Sequence, residues 1–348
     1  MRVAIVNDLS IAQEILRRAI AQMPGAVVAW VAADGAQALA RCRVDRPDLI
    51  LMDMVMPVMD GAVATRAIMH ECPCPILVVT STIEGHLGLV YEALSAGAID
   101  AVHTPTLGVA GAISGADALA SKARVAVAAS AHAPAPSVRP QTVVQATREV
   151  RRGTLPVVAI GASTGGPHAV ATVLRGLTDA SPHVACAIVQ HIDVAYTEGL
   201  AQWLTHETGR RVRTARDGES FTLGDTVLAS TREHLVAERG LVRYRTAPDD
   251  ALHRPSIDVF FESLARDDTV LGVAILLTGM GRDGASGLRS MRDAGWHTIA
   301  QDEATSVVWG MPGAAVAFGA ACEVLALESI GAAAARIVAS SAAAPRKA

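Results

Sequence analysis

Two separate stretches of the chain alternate short apolar runs with helical segments, and each predicts a parallel α/β sheet. In the first, β-branched runs at residues 3–6, 27–32, 49–52, 76–80 and 99–103 are the strand candidates. In the second, runs at 157–160, 185–190, 226–229, 272–277 and 297–300 repeat the pattern. Continuous apolar runs separated by helices are what a sheet covered on both faces requires. Residues 107–153 are dense in Ala, Ser and Pro and end in the charged run Arg148, Glu149, Val150, Arg151 and Arg152. That composition predicts a linker, helical in part near its ends. The expected division is a first domain over 1–106, the linker over 107–153, a second domain over 154–340 and a frayed tail over 341–348.

Length and composition sharpen this picture. At 348 residues the chain is long enough for two cores, and 51% hydrophobic with 18% charged residues argues for folded domains. A net charge of -4 leaves no global basic surface, so nucleic acid is not an expected partner. The five cysteines, Cys42, Cys72, Cys74, Cys186 and Cys322, have no CxxC or zinc-like spacing and read as reduced cytoplasmic thiols. No apolar run reaches the roughly 18 to 20 residues of a membrane span, so no membrane insertion is expected and the protein should be cytoplasmic.

Ligands of an open parallel sheet gather at the carboxyl ends of the strands. In the first domain Asn7 and Asp8 follow the first strand candidate, Asp53 the third, and Thr80 and Ser81 the fourth. Two carboxylates on one edge suit a hard cation such as Mg²⁺, and Asp53 is placed to attack a phosphoryl group. Taken singly, either Asp8 or Asp53 fits better as a helix N-cap after a strand.

In the second domain Gly161-Ala162-Ser163-Thr164-Gly165-Gly166-Pro167 follows a strand and precedes a helix, the G-x-S-x-G turn that exposes a serine hydroxyl to a helix N-terminus. The candidate base is His191, after ACAIVQ, and the candidate acid is Asp283, in LTGMGRDGASGL after GVAILL. The order Ser, His, Asp differs from that of α/β-hydrolases. Single alternatives stay open: Ser163 as an N-cap, His191 bonded to backbone, Asp283 as an Asx turn. N–H groups near Thr164 and Met280 are the candidate oxyanion donors. Arg282 and the pair Arg210 and Arg211 are cations able to draw an acidic partner, with ordinary surface roles as the alternative.

The phrases AIGASTGGP, IVQH, HRPSID, LLTGMGRDGASGL and AQDEATSVVWGMP, together with the first domain's pattern, resemble the CheB-type chemotaxis methylesterases, response regulators that carry their own esterase. The resemblance implies a flavodoxin-like receiver and a Rossmann-like three-layer methylesterase domain, both doubly wound. It implies hydrolysis of γ-glutamyl methyl esters on methyl-accepting chemoreceptors, with glutamine deamidation in many members. By the same resemblance Ser163 is the nucleophile, His191 the base and Asp283 its partner. Asp53 becomes the phosphoacceptor for a chemosensory histidine kinase, Asp8 and Asp53 the Mg²⁺ ligands, and Thr80 the switch hydroxyl; hydrolysis itself needs no cofactor. His234 and the segment of Trp309, Met311 and Pro312 match family positions near the cleft, with packing as the alternative.

Two positions depart from the family: Asn7 stands where an acid is usual and Thr104 where a lysine is usual. These departures resemble a branch serving surface sensing or other alternative chemosensory systems, and they question how strongly phosphorylation couples to output. An unphosphorylated receiver docked over the triad would hinder a receptor, and phosphorylation would shift that equilibrium. Two other classes compete: a phosphorylation-dependent receptor adaptor with a weak or inactive esterase domain, and a nucleotide-dependent oxidoreductase. The latter lacks a GxGxxG turn after either first strand.

Overall fold

The computed structural model describes residues 1–81, 87–108, 113–131, 154–177, 183–249 and 251–342. The chain divides into two compact units, Met1–Ala133 and Pro134–Ala348. Among the described residues no helix is long and apolar enough to cross a membrane.

The first unit runs β1 (Arg2–Val6), α1 (Ser10–Ala21), β2 (Val27–Ala32), α2 (Gly35–Val44), β3 (Leu49–Met52), α3 (Gly61–Glu71), β4 (Ile76–Thr80), α4 (Leu87–Ser95) and β5 (Asp100–His103). Its parallel sheet has the order β2-β1-β3-β4-β5. Every residue of β3 and β4 is buried, because helices cover both faces. The chain winds outward in opposite directions from β1 and β3, so the loops after these two strands part and leave a crevice. A short antiparallel pair, β6 (Thr106–Leu107) and β7 (Ile113–Ser114), leads into α5 (Ala116–Ala131).

Here structure and composition diverge. Residues 113–131 fall in the stretch whose Ala and Ser content predicts a linker, yet α5 buries Ala116, Leu119, Ala123 and Ala126 in one core with Leu16, Ile20 and Leu77. Those four positions are spaced three, four and three apart, the interval of one helical face, which a count of residue types does not register. Residues 109–112 and 132–153 of the predicted linker, the charged run included, lie outside the described residues, as do 343–348 of the predicted tail.

The second unit contains β8 (Leu155–Ala162), α6 (Gly166–Gly176), β9 (Ala185–Gln190), α7 (Val194–Thr208), β10 (Val212–Thr214), β11 (Thr226–Leu228), β12 (His234–Glu238), β13 (Leu241–Arg245) and α8 (Ile257–Arg266). It continues through β14 (Val270–Leu276), α9 (Ala285–Asp293), β15 (His297–Gln301), α10 (Met311–Ala317), β16 (Glu323–Leu325) and α11 (Leu327–Ala342). Seven parallel strands stand in the order β10-β11-β9-β8-β14-β15-β16, and β12 pairs with β13 as a separate hairpin. The five strand candidates form its centre. The edges β10 and β16, three residues each, are too short to show a periodicity. On one side α8 presses Ile257, Phe260, Phe261 and Leu264 into the core, which fixes where its N-terminus points.

Candidate active site

Strand register brings the predicted serine and histidine to one edge. Ala162 pairs with Gln190 and Gly161 with Leu276, so Ser163, His191 and the loop after β14 emerge side by side. Main-chain bonds lock the three exits: Ser163 N–H to Thr278 O at 3.0 Å, His191 N–H to Ala162 O at 3.0 Å, and Leu277 N–H to Gly161 O at 2.9 Å. Ser163 is not a helix cap. That place belongs to Gly165 at φ 77°, a left-handed turn that only glycine takes without strain. Gly279 lies directly against the serine, since a Cβ there would stand 2.7 Å from Ser163 Cβ.

The candidate acid and base are joined. His191 Nε2 lies 2.8 Å from Asp283 Oδ2, with both side chains 10% exposed. Asp283 also accepts from Ser256 Oγ at 2.9 Å, Ile257 N–H at 2.8 Å and Asp258 N–H at 3.0 Å. The carboxylate thus sits on the free N–H groups and positive dipole end of α8. Burial alone would raise its pKa. The His191 hydrogen bond and charge, with the Asp258 and Ile257 amides, outweigh burial and hold the carboxyl well below its ordinary range. An ionised Asp283 accepts only, so Nε2 carries the proton it donates, and Nδ1 is the basic nitrogen of the neutral ring. Among the described residues Nδ1 is buried without a hydrogen-bond partner, Ser163 Oγ included. In unliganded active sites such nucleophile-to-base contacts are often open and tighten with substrate.

Three residues that the sequence reading leaves without a role complete the surroundings. Gln190 donates from Nε2 to Ser163 O at 2.7 Å and to His191 O at 3.2 Å, tying the two loops together. Its partner surface is Gly166, where any Cβ would collide with the Gln190 amide. Ser256 caps α8 through Val259 N–H while donating to Asp283. The ring of His253 stacks on that of His191, centroids 4.2 Å apart and planes at 20°. If this stack holds the base in orientation, His253→Ala lowers kcat about tenfold while His253→Phe retains most of it, measured as methanol release at saturating substrate. Equal rates for wild type and His253→Ala would refute a positioning role.

His234 does not line the cleft. It is fully buried, accepts Ser256 N–H at Nδ1 (3.1 Å) and donates from Nε2 to Pro248 O (3.1 Å), holding the loop that carries Ser256. Arg210 is likewise internal, clamping Thr226 Oγ1 at 2.6 Å and Val184 O at 2.7 Å, whereas Arg211 is exposed near Asp225. Trp309 donates to Gln301 O at 3.1 Å and bridges to Gly279; Met311 and Pro312 are buried behind Gly279. Of the two candidate oxyanion residues, Thr164 is buried with its carbonyl accepting Thr278 Oγ1 at 2.9 Å, and Met280 follows the glycine that abuts Ser163.

Asp258, beside Asp283, is pushed up to about 6, first by burial and then by the Asp283 charge, against the Gly287 and Gly284 amides. A raised folded-state value means the neutral form is favoured on folding. The stabilisation is therefore full below an unfolded value of about 4 and is lost as pH rises through the folded one. Asp258→Asn should thus raise stability by about 1 kcal/mol at pH 7.5 and by nothing measurable at pH 4, read from urea midpoints. Equal shifts at both pH values would contradict this.

In the first unit Asp53 ends β3 with Oδ1 accepting Met54 N–H (2.7 Å) and Oδ2 accepting Asn7 Nδ2 (2.9 Å). It caps no helix: Leu9 and Asp60 precede α1 and α3. Burial, with a further push from the charge of Asp8, raises Asp53 to about 6, against the Met54 amide. Two oxygen-donor carboxylates that repel each other across a crevice fit a hydrated divalent cation, which needs few protein ligands. Thr80 is buried at the same edge, its carbonyl accepting Thr104 N–H at 3.1 Å. The chain has only two lysines, Lys122 and Lys347. Lys122 bonds Asp100 at 2.9 Å, at the opposite end of β5 from Thr104, so it does not replace the missing cation.

Comparison with known proteins agrees with both units. The CheB methylesterase family model matches residues 158–334, and that of the response regulator receiver domain matches residues 3–106. A Burkholderia pseudomallei protein named protein-glutamate methylesterase/protein-glutamine glutaminase 2 is 48% identical over 342 residues, covering 95% of each chain. A Pseudomonas putida protein-glutamate methylesterase/protein-glutamine glutaminase of group 3 operon is 46% identical over 331 residues, 95% of this chain and 97% of its own. The crystal structure of the Thermotoga maritima CheB methylesterase catalytic domain is 30% identical, with TM-score 0.48, over 52% of this chain and 97% of that one. The chain belongs to the CheB methylesterase family, in the form that joins a response-regulator receiver to the esterase domain.

Proposed function

We propose that this chain hydrolyses γ-glutamyl methyl esters on methyl-accepting chemoreceptors to glutamate and methanol, and deamidates receptor glutamines at the same site, under control of receiver phosphorylation. The observation that carries the reading is the His191–Asp283 bond, which leaves a buried basic nitrogen beside the exit of Ser163.

In this reading His191 Nδ1 takes the Ser163 proton as Oγ attacks the ester carbonyl, and returns it to the departing methoxide, so methanol leaves. A water attacks the glutamyl-serine ester by the same route in reverse, releasing the carboxylate. With an amide substrate the leaving group is ammonia. Asp283 stabilises the transient imidazolium, and the N–H groups of Thr164 and Met280 receive the oxyanion.

In the receiver, a chemosensory histidine kinase donates the phosphoryl group to Asp53, and Thr80 is the hydroxyl that senses it. Asp8 and Asp53 would hold Mg²⁺, which supplies neutralising charge to phosphoryl oxygens when bound. The catalytic region spans 154–340.

The test is methanol release from methylated receptor membranes by the full chain, with and without a small phosphodonor, beside the fragment 154–348. Release that rises with phosphodonor is expected; no release from either protein would sink the esterase reading, and equal rates for all three would sink control by the receiver.

A further inference from the structure

Among the described residues of the second unit, four large apolar side chains are exposed: Leu223, Leu252, Met280 and Phe318. Three of these four belong to or touch segments that carry site residues. Leu252, 97% exposed, precedes His253, whose ring lies on His191. Met280 follows Gly279, the residue in contact with Ser163. Phe318 lies under the Arg282 guanidinium, 5.4 Å from carbon to ring centroid, and Arg282 adjoins Asp283. Solvent-facing apolar side chains that gather at one place and carry a polar rim mark a contact surface.

Charge narrows what that surface receives. Arg282 is exposed, and no carboxylate pairs with it among the described residues, so its charge is open to a partner. Asp193, two residues after His191, is engaged elsewhere: it caps α7 by accepting Ala195 N–H at 3.0 Å. A guanidinium held over an aromatic face is oriented and partly desolvated, which favours a bidentate carboxylate.

We propose that Leu252, Phe318 and Arg282 form the docking rim for the receptor, gripping the segment on either side of the esterified glutamate through apolar side chains and one neighbouring carboxylate. This inference rests on the esterase reading above. On this proposal the same cation selects for esters that have a free carboxylate beside them. A free ester of similar reactivity touches only the cleft floor and gains nothing from the rim.

The experiment uses the full chain and two substrates, methylated receptor membranes and p-nitrophenyl acetate. The double variant Leu252→Ser/Phe318→Ser should raise KM on membranes about tenfold with kcat little changed, and Arg282→Gln should raise it about fivefold at low salt and less at high salt. Hydrolysis of p-nitrophenyl acetate should be unaltered in all variants. Arg282→Lys, keeping the charge, should recover part of the loss; Leu252→Ser alone, at a position 97% exposed, decides the matter if the double variant unfolds. Membrane KM unchanged in an active wild-type background would overturn the proposal while leaving the esterase reading intact. Faster p-nitrophenyl acetate turnover with unchanged membrane KM would assign the surface to another segment of this chain and also overturn it. A wild type inactive on both esters removes the esterase reading first and this inference with it.

Discussion

Ser163→Ala is expected to lower methanol release at least about 10⁴-fold, with receptor binding and thermal stability unchanged. The reason lies in what the hydroxyl does and does not touch. In the proposed mechanism this oxygen forms the acyl bond, so its loss removes covalent attack. The residual rate comes from oxyanion donors and bound water alone. Among the described residues the hydroxyl makes no hydrogen bond, while the turn is held by Ser163 N–H to Thr278 O and by Gln190 to Ser163 O. Stability should therefore move by less than about 0.5 kcal/mol. A receptor adaptor would keep its signalling output in this variant, so the measurement separates enzyme from adaptor directly.

Asp283→Ala is expected to cost about 10⁴-fold in kcat and, unlike the serine variant, about 3–5 kcal/mol of stability in the second unit. Its carboxylate answers four donors at once: His191, Ser256 Oγ and the amides of Ile257 and Asp258. Removal leaves each of them short of an acceptor in a buried place. The pH dependence follows from the depressed pKa. Such a group contributes stability above its unfolded value of about 4 and loses it as pH falls toward the folded one, so wild type and variant should converge only in acid. Urea midpoints at pH 7 and pH 3, read with kcat at pH 7, check both halves; a variant of wild-type stability at pH 7 would show that the helix end does not depend on this carboxylate.

How much of this was legible from residues alone depends on the scale of the signal. Ten strand candidates recur at or within a few residues of observed strands because buried parallel strands are continuous apolar runs. Ser163, His191 and Asp283 could be proposed for the same reason: His191 directly follows such a run, Ser163 and Asp283 lie in the loops just after two others, and a parallel sheet gathers all such ends on one edge. The residues that hold them were not. His253 and Ser256 lie on the approach to α8, far from any strand end, and only the Ser256 N-cap preceding VFF gave a local sign of where that helix begins. Gln190 reads as the last residue of a strand, and its bridging of two loops exists only once β8 and β9 are paired. His234 reads as a cleft candidate from its position in TREHLVAE, and its burial comes from a hairpin that sequence periodicity did not reveal. In α5, alanine content masked a regular face that emerges only against the first sheet.

The grip of α8 on Asp283 has one more consequence. Because Asp283 is anchored to the amide ends of a helix whose other face is core, and His191 is bonded both to it and to its neighbouring strand, this pair is held rigidly, and the open contact between His191 Nδ1 and Ser163 is the part left to close. A signal that left the His191–Asp283 pair untouched would then act through access to the site or through closure of the Ser163–His191 contact, and the proposed regulation is of that kind.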